Sequence, residues 1–400
     1  MTLSEAPAFI ERRRIPDAAV SADRLKTRVV LDRAGLEALA SRWAALEHRL
    51  ADVTPFQSLG WARAIFDFET QRDNAEFDPV IAVAEDGQRL VAILPLERVG
   101  TAARRVLVPL GNGFVQYADL LLDKGVNAQA ALTGLFKAAR AAAPADVISL
   151  LKVRDGSALA LALNGVEAEK GPEAGAPLVG LAAFPDFESY FSTIRTKTRK
   201  NMRNARNRLE RDGVVQHDVV EDVEAQRALI GRTLSGRAER LREQGLTSRA
   251  FRDRSFPDFC ASLAGRDDVA IKAFSLRHND QPIAEQWGFV QGGRYYAFVA
   301  ARDFSHSDES PGKLHLAEVI RACADAGLSA CDLGVPAMPY KMTFATRTVA
   351  VRDYVLPMTL RGRLVTWLWD QRLRPALKAM VLGLPAGVRA RLMKLAGHGH

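Results

Sequence analysis

The sequence predicts an α/β (α+β) chain made of two tandem copies of one unit, each a mixed, mostly antiparallel sheet flanked by helices. Three observations carry this. Strand-like and helix-like periodicities alternate along the chain, hairpin turns fall at matched places in its two halves, and the two series of elements repeat with an offset near 190 residues. At 400 residues the chain exceeds one ordinary core and suits two domains of roughly 100 to 200 residues.

The first series opens with a strand at Arg28 to Leu31 and a helical pattern from Leu36 to Leu50, with apolar residues three and four apart. A second helix spans Leu59 to Phe68. In PVIAVAEDGQRLVAILPLERV two alternating runs flank Asp86-Gly87, a strong hairpin signal because glycine tolerates φ > 0. A strand through Asp119 to Leu122, an Ala-rich helix over Ala128 to Ala142 and the strand DVISLLKV close the series.

The second series begins with the strand VVQHDVV and helices over 222–243 and 248–264. A meander follows, turning at Asn279-Asp280 and Gly292-Gly293, and then the helix KLHLAEVIRACADAG and the strand SACDLG. Matching the hairpins through Gln88 and Gln281 gives an offset of 193, and the strands at Val29 and Val215 give 186. The expected organisation is an N-terminal extension (1–24), a first unit (25–180), a second unit (181–360) with a basic bridging helix (184–213), and a basic tail (361–400).

Composition excludes several classes. With 48% hydrophobic and 26% charged residues the chain is neither disordered nor low-complexity. Cys260, Cys323 and Cys331 form no disulfide framework and no metal-ligand spacing, which points to the cytoplasm. The start carries no signal-peptide core, and no apolar run reaches membrane-spanning length. The net charge is +8, and residues 361–400 hold +7 of it, as eight Arg or Lys against Asp370.

Several stretches carry chemistry. Ser310, Pro311 and Gly312, followed by Lys313, open an amphipathic helix after a strand; the free N–H groups of such a helix end favour an anion such as a pyrophosphate, or simply a well-capped helix. In IAEQWGFV, period-two alternation places Glu285 beside Ile283, Trp287 and Phe289 on one face. A carboxylate desolvated there would serve as a general base, and one paired with an Arg would not. The run 195–211, with Arg199 and Lys200 among its eight cations, has a narrow apolar stripe of Met202, Ala205 and Leu209. It lacks interleaved aromatics for base stacking, so a phosphate-bearing small molecule or plain solvation suits it as well as nucleic acid. Tyr117 and Asp119 lie two apart, and Asp332 ends a strand before a Pro-bounded loop leading to Tyr340 and Lys341. The seven histidines show no metal-binding pattern, and no metal is expected.

The basic helix TKTRKNMRNARNRLERDG, the hairpin with IAEQWGF, the helix SPGKLHLAEVIRACADAG and DLGVPAMPYKMTFA, in that order, resemble the CelD-type GNAT acyltransferase family of bacterial exopolysaccharide gene clusters, which is structurally related to the Fem-type aminoacyl transferases. The resemblance covers residues 184 to 350, and a weaker one through TPFQSLGWARAIF and QYADLLL covers the first half. It implies two GNAT folds in tandem. It further implies that Ser310 to Lys313 form the acyl-CoA pyrophosphate turn, although the loop departs from the full GNAT signature. Lys341 matches the lysine that Fem-type relatives place at the reacting centre, Asp119 an acidic cleft position, and Arg199 and Lys200 basic positions suited to an anionic substrate. The implied activity is acetyl-CoA-dependent N-acylation of a small amine or amino-sugar acceptor, or of a nucleotide-linked precursor, in surface polysaccharide synthesis. Glu285 or Asp119 is expected as base, Tyr340 or Lys341 at the leaving thiolate or the acceptor, and Tyr117 and Asp332 at the substrate. A Fem-type transferase using aminoacyl-tRNA and a non-catalytic GNAT-fold scaffold are the alternatives.

In the tail, LVTWLWDQRLRPALKAMVLGLP combines tryptophans and leucines with cations, as in helices that lie on anionic membranes. Docking on the protein's own core or binding an anionic regulatory ligand are the other uses. The expected location is cytoplasmic and peripheral to the inner membrane.

Overall fold

The computed structural model describes residues 24–101, 104–246, 248–303, 311–366 and 380. The expectations for the N-terminal extension, for Ser310 and for most of the basic tail fall outside the described residues. The chain starts with β1 (Leu25–Val30), α1 (Arg33–Arg49) and α2 (Leu59–Gln71). Both helices open on a side-chain cap: Asp32 accepts from the Gly35 N–H and Ser58 from the Trp61 N–H, pairing donors that a first turn leaves open. The hairpin is β2 (Pro79–Asp86) and β3 (Arg89–Thr101), turning at Gly87 with φ +62°. Then come β4 (Arg104–Pro109), β5 (Leu121–Leu122), α3 (Ala128–Ala142), β6 (Val147–Arg154), α4 (Ala158–Ala162), β7 (Glu169–Lys170) and β8 (Ala174–Gly180).

The region 184–213 is two helices, α5 (Phe187–Ser192) and α6 (Thr196–Asp212), rather than one. It leads to β9 (Val215–Val220) and α7 (Val223–Glu243). The single helix expected over 248–264 is likewise two, α8 (Arg249–Arg252) and α9 (Phe256–Ser262). Pro257 is the cause: without an N–H it starts a helix and cannot continue one. The meander is β10 (Ile271–His278), β11 (Gln281–Gln291) and β12 (Arg294–Arg302), followed by α10 (Pro311–Asp325), β13 (Ala330–Asp332), α11 (Pro339–Met342), β14 (Arg347–Pro357) and α12 (Leu360–Val365).

All these strands join one sheet, in the order β1-β2-β3-β4-β6-β14-β8-β13-β12-β11-β10-β9, with β5 on β3 and β7 on β14. The runs β1-β2-β3-β4-β6 and β9-β10-β11-β12-β13 mirror each other about the centre. Each is antiparallel except for its last pair, β4 with β6 and β12 with β13, which is parallel. At the centre the halves exchange strands. β8, from the first series, pairs with β13, while β14, from the second, pairs with β6, and the two pair with each other. The hydrogen-bonded ladder therefore runs unbroken through both halves.

The largest core cluster also belongs to both, with Trp43, Phe56 and Trp61 packed among Phe259, Trp287 and Phe289. Phe56 and Trp61 meet edge-on at 5.1 Å, and Trp61 meets Phe259 at 5.3 Å, geometry that aromatic quadrupoles favour. Gly60 lets the halves approach closely: a Cβ there would stand 1.8 Å from the Asp268 carbonyl oxygen. A second cluster lies under α3 and a third under α10.

Candidate active site

The parallel pair β12 and β13 is joined over Arg294–Tyr296 and Ala330–Asp332. Just beyond, β12 bulges at Phe298, because Gly288 pairs with Ala297 while Trp287 pairs with Val299. Bulges re-aim backbone groups and are common beside active sites. Here the Phe298 carbonyl accepts from the Gln116 side chain at 3.3 Å.

Asp332 ends β13 and is buried. Its Oδ1 accepts from the Tyr117 hydroxyl at 2.9 Å and from the Gly334 N–H at 2.8 Å. The Gly334 carbonyl in turn accepts from Lys341 Nζ at 3.0 Å. Burial raises the Asp332 carboxyl, against the Gly334 N–H, Tyr117 and the charges of Arg154 and Arg294. Burial also pushes the Tyr117 phenol well up, with Asp332 adding to it. The Lys341 ammonium is lowered by burial to about 8, with Asp332 pulling it up and Arg237 pushing it further down. A lysine so placed changes protonation near neutral pH, unlike an exposed one. Tyr340, about a third exposed, has its phenol raised by burial against the charges of Arg237, Arg302 and Arg240.

Behind this group lies a layer of ion pairs. Asp119 is buried and fully engaged: Oδ1 accepts from the N–H groups of Leu120 and Leu159, and Oδ2 from Arg154 at 2.9 Å. Burial raises its carboxyl, and Arg154 works against that. Arg154 stands over the Tyr117 ring and reaches Asp52 at 3.2 Å, which also binds Arg294 at 3.1 Å. Burial disfavours the Arg154 charge, but Asp119 and Asp52 outweigh it and hold its pKa above the ordinary arginine value.

Glu285 differs from the desolvated, solitary carboxylate that parity suggests. It faces α7, where Arg232 binds it with both arms, at 2.6 and 3.0 Å, and Ser275 donates at 3.3 Å. The parity count also slips at a bulge, since Leu276 pairs with Ala284 and Arg277 with Pro282. Ile283 and Ala284 therefore both join Leu209 and Leu314, away from Trp287.

Pro311 is the first residue of α10 and is buried, Lys313 is exposed, and a Cβ on Gly312 would approach only Arg302 Cδ, at 3.3 Å. A helix N-terminus and the three arginines that act on Tyr340 suit a pyrophosphate. Met202, Ala205 and Leu209 form the buried stripe of α6, as its spacing predicts. Arg199 spends its guanidinium on its own segment, donating to the Ile194 carbonyl at 3.0 Å, and Lys200 is exposed. Neither joins the Asp332 network.

Of the residues singled out in the sequence, Tyr117, Asp332 and Lys341 thus meet, Asp119 stands behind them, and Glu285 lies apart on β11, paired with Arg232. Gln116, Arg154, Asp52 and Arg294 went unseen, because each gains its role from partners more than 100 residues away. Among the described residues no group of His, Cys, Asp and Glu suits a metal.

Residues 196–342 match the family described as acetyltransferase (GNAT) domain. The second half of the chain carries a GNAT acetyltransferase domain, and the enzyme is an acyltransferase. Its GNAT domain holds Asp332, Lys341, Glu285 and the start of α10, whereas Gln116, Tyr117 and Arg154 come from outside it. The chain finds no match among the curated proteins. Among solved structures, FemX aligns over 82% of this chain and 98% of its own at 11% identity, with a TM-score of 0.57. A tandem GNAT protein from the clavulanic acid biosynthesis pathway aligns over 83% and 98% at 12% identity, TM-score 0.46. L-PGS from Bacillus licheniformis aligns over 78% and 97% at 11% identity, TM-score 0.44. At such identities the likeness to FemX is one of fold. That fold extends across both halves, in agreement with two GNAT-like units.

Proposed function

We propose that the protein transfers an acetyl group from acetyl-CoA to the amine of an amino sugar or nucleotide-linked precursor in surface polysaccharide synthesis, as a CelD-type member of the GNAT superfamily. The observation that carries this is the convergence of Tyr117, from the first half, on Asp332 and Lys341 of the GNAT domain, where β12 and β13 part. Bound acetyl-CoA supplies the acyl group as a thioester. Pro311, Gly312 and Lys313, with Ser310 before them, would hold its pyrophosphate together with Arg237, Arg240 and Arg302. The acceptor nitrogen attacks the thioester carbonyl carbon, the C–N bond forms, the C–S bond breaks, the amine gives up a proton and the thiolate takes one.

Asp332 is the carboxylate placed to receive the amine proton through water, because its raised pKa favours protonation and Tyr117 and Gly334 orient it. The Lys341 ammonium, with a pKa of about 8, is matched to protonate the thiolate, and Tyr340 beside it orients the acceptor. Asp119 and Glu285, tied up by Arg154 and Arg232, act as positioning residues rather than bases.

Calorimetric titration of the full chain with acetyl-CoA, longer acyl-CoA and free CoA tests the proposal. Binding of acetyl-CoA is the expected result, and no binding of any of the three would refute it. The likeness to FemX across both halves supports a second reading, a Fem-type aminoacyl transfer; loss of activity on RNase treatment would select it. The basic tail is assigned to an anionic membrane surface, keeping a cytoplasmic enzyme near the inner membrane. Among the described residues no helix is long and apolar enough to cross one.

A further inference from the structure

A cavity of about 1,030 Å³ opens between the two halves and includes neither Asp332 nor Lys341. Its walls are the end of α2, the end of β3, the turn Gly111–Phe114 and α8. The floor is rich in acceptors. Asn112 Oδ1 is buried without a hydrogen-bond partner, a state that folded proteins rarely leave unused. Beside it, Glu97 accepts from the Asn112 N–H at 3.1 Å. Burial pushes its carboxyl up to about 7, against the N–H groups of Gly111 and Asn112.

The rim carries charges of both signs, with exposed Glu76 and Asp253 among its arginines. Arg98 and Arg72 are bound to Asp78 and Glu69. Arg105 and Arg252, both exposed, line the opening and have no carboxylate partner among the described residues. A molecule that fits must carry hydrogen-bond donors at one end and an anionic group at the other. The turn that holds Asn112 runs on along the chain to Gln116 and Tyr117, which reach Phe298 and Asp332 outside the cleft.

We propose that this cleft is a ligand site separate from the reacting centre, seating a phosphorylated amino sugar with hydroxyl and amino groups on Glu97 and Asn112 and phosphate on Arg105 and Arg252. The proposal stands apart from the acyl-transfer reading above and adds to it a ligand class and a second binding site. Its volume stands at the upper limit of small-molecule sites. The two arginines suit phosphate because guanidinium forks match phosphate oxygens.

Calorimetry on the full chain tests it, with D-glucosamine 6-phosphate as probe and D-glucosamine and inorganic phosphate as its two parts, and acetyl-CoA titrated separately. The sugar phosphate is expected to bind about tenfold or more tightly than either part. The double variant R105E/R252E should weaken it by at least about tenfold and leave acetyl-CoA binding unchanged. Asn112→Ala should weaken it without the charge change. Equal binding by wild type and the double variant overturns the proposal, as does failure of the wild type to bind the sugar phosphate while it binds acetyl-CoA. Sugar phosphate binding without acetyl-CoA binding would sustain the cleft and overturn the acyl-transfer reading instead.

Discussion

The two halves share an order of strands and part company at one connection. In the second half β12 passes to α10 through residues 303–310; in the first, β4 passes to α3 through residues 110–127. The longer connection is buried at Leu110, Phe114, Tyr117, Asp119 and Leu120. It runs along the opening beside β6, where the Ala118 N–H donates to the Leu151 carbonyl at 3.0 Å. From there Gln116 and Tyr117 reach into the other half's opening. One copy has filled its own cleft with chain, and the filling completes the cleft of its neighbour. Duplication of a fold therefore does not imply duplication of a site: in the proposed reaction one half holds the reacting groups and the other positions them.

The contrast can be broken at graded points. Lys341→Ala, in the reacting half, is expected to lower kcat by about 100-fold or more while acetyl-CoA affinity by calorimetry holds. In the wild type kcat should fall as pH rises past about 8, where the Lys341 ammonium is lost. A kcat within tenfold of wild type would remove this lysine from the chemistry. Tyr117→Phe, in the lending half, deletes one hydrogen bond to a buried carboxylate and should lower kcat/KM by about tenfold or more. An unchanged kcat/KM would mean that the first half only supports the fold.

A second difference lies under the helices. His217 on β9 and His315 on α10 face each other at 5.3 Å, whereas α3 sets apolar Leu132 in its own cluster. Burial lowers the His217 imidazole to about 4, with Asp218 opposing and Arg206 assisting, and lowers His315 as well. A lowered histidine pKa means that the unfolded chain binds more protons between about 4 and 6.5, so stability falls as pH drops through that window. His217→Phe should recover about 1 to 2 kcal/mol at pH 5 relative to its effect at pH 8, read from urea melts at both pH values. An equal effect at the two pH values would dismiss the pair as acid-sensitive. The smallest effect is expected at Asn127, which caps α3 by accepting from the Ala130 N–H at 2.9 Å. Asn127→Ala should cost about 1 kcal/mol of stability and leave turnover untouched; lost turnover would show that this helix end also serves the site.

Much of the architecture was legible. Helix α3 occupies the predicted 128–142, and the three hairpin turns fall where Asp86-Gly87, Asn279-Asp280 and Gly292-Gly293 place them, with Gly87, Asn279, Asp280, Gly292 and Gly293 left-handed. β8 and β14 were not, although they form the middle of the sheet, because each is held by strands of the opposite half. Within the site, Asp332 and Lys341 were visible as polar residues at a strand end and after a Pro-bounded loop. The bond from Tyr117 to Asp332 spans 215 residues and leaves no trace in spacing. Glu285 was found, but its partner Arg232 lies on a helix whose docking no parity count supplies.

By itself the sequence determined the alternation of strands and helices, the repeat and the acyltransferase character of residues 196–342, since periodicity, turn chemistry and family motifs are written over short stretches. Tertiary structure decided which carboxylate stays available, which lysine loses its ordinary pKa, and that a loop of one half completes the site of the other. Those outcomes depend on burial and on partners far away in sequence, and a bulge of one residue is enough to turn a side chain from one face of the sheet to the other.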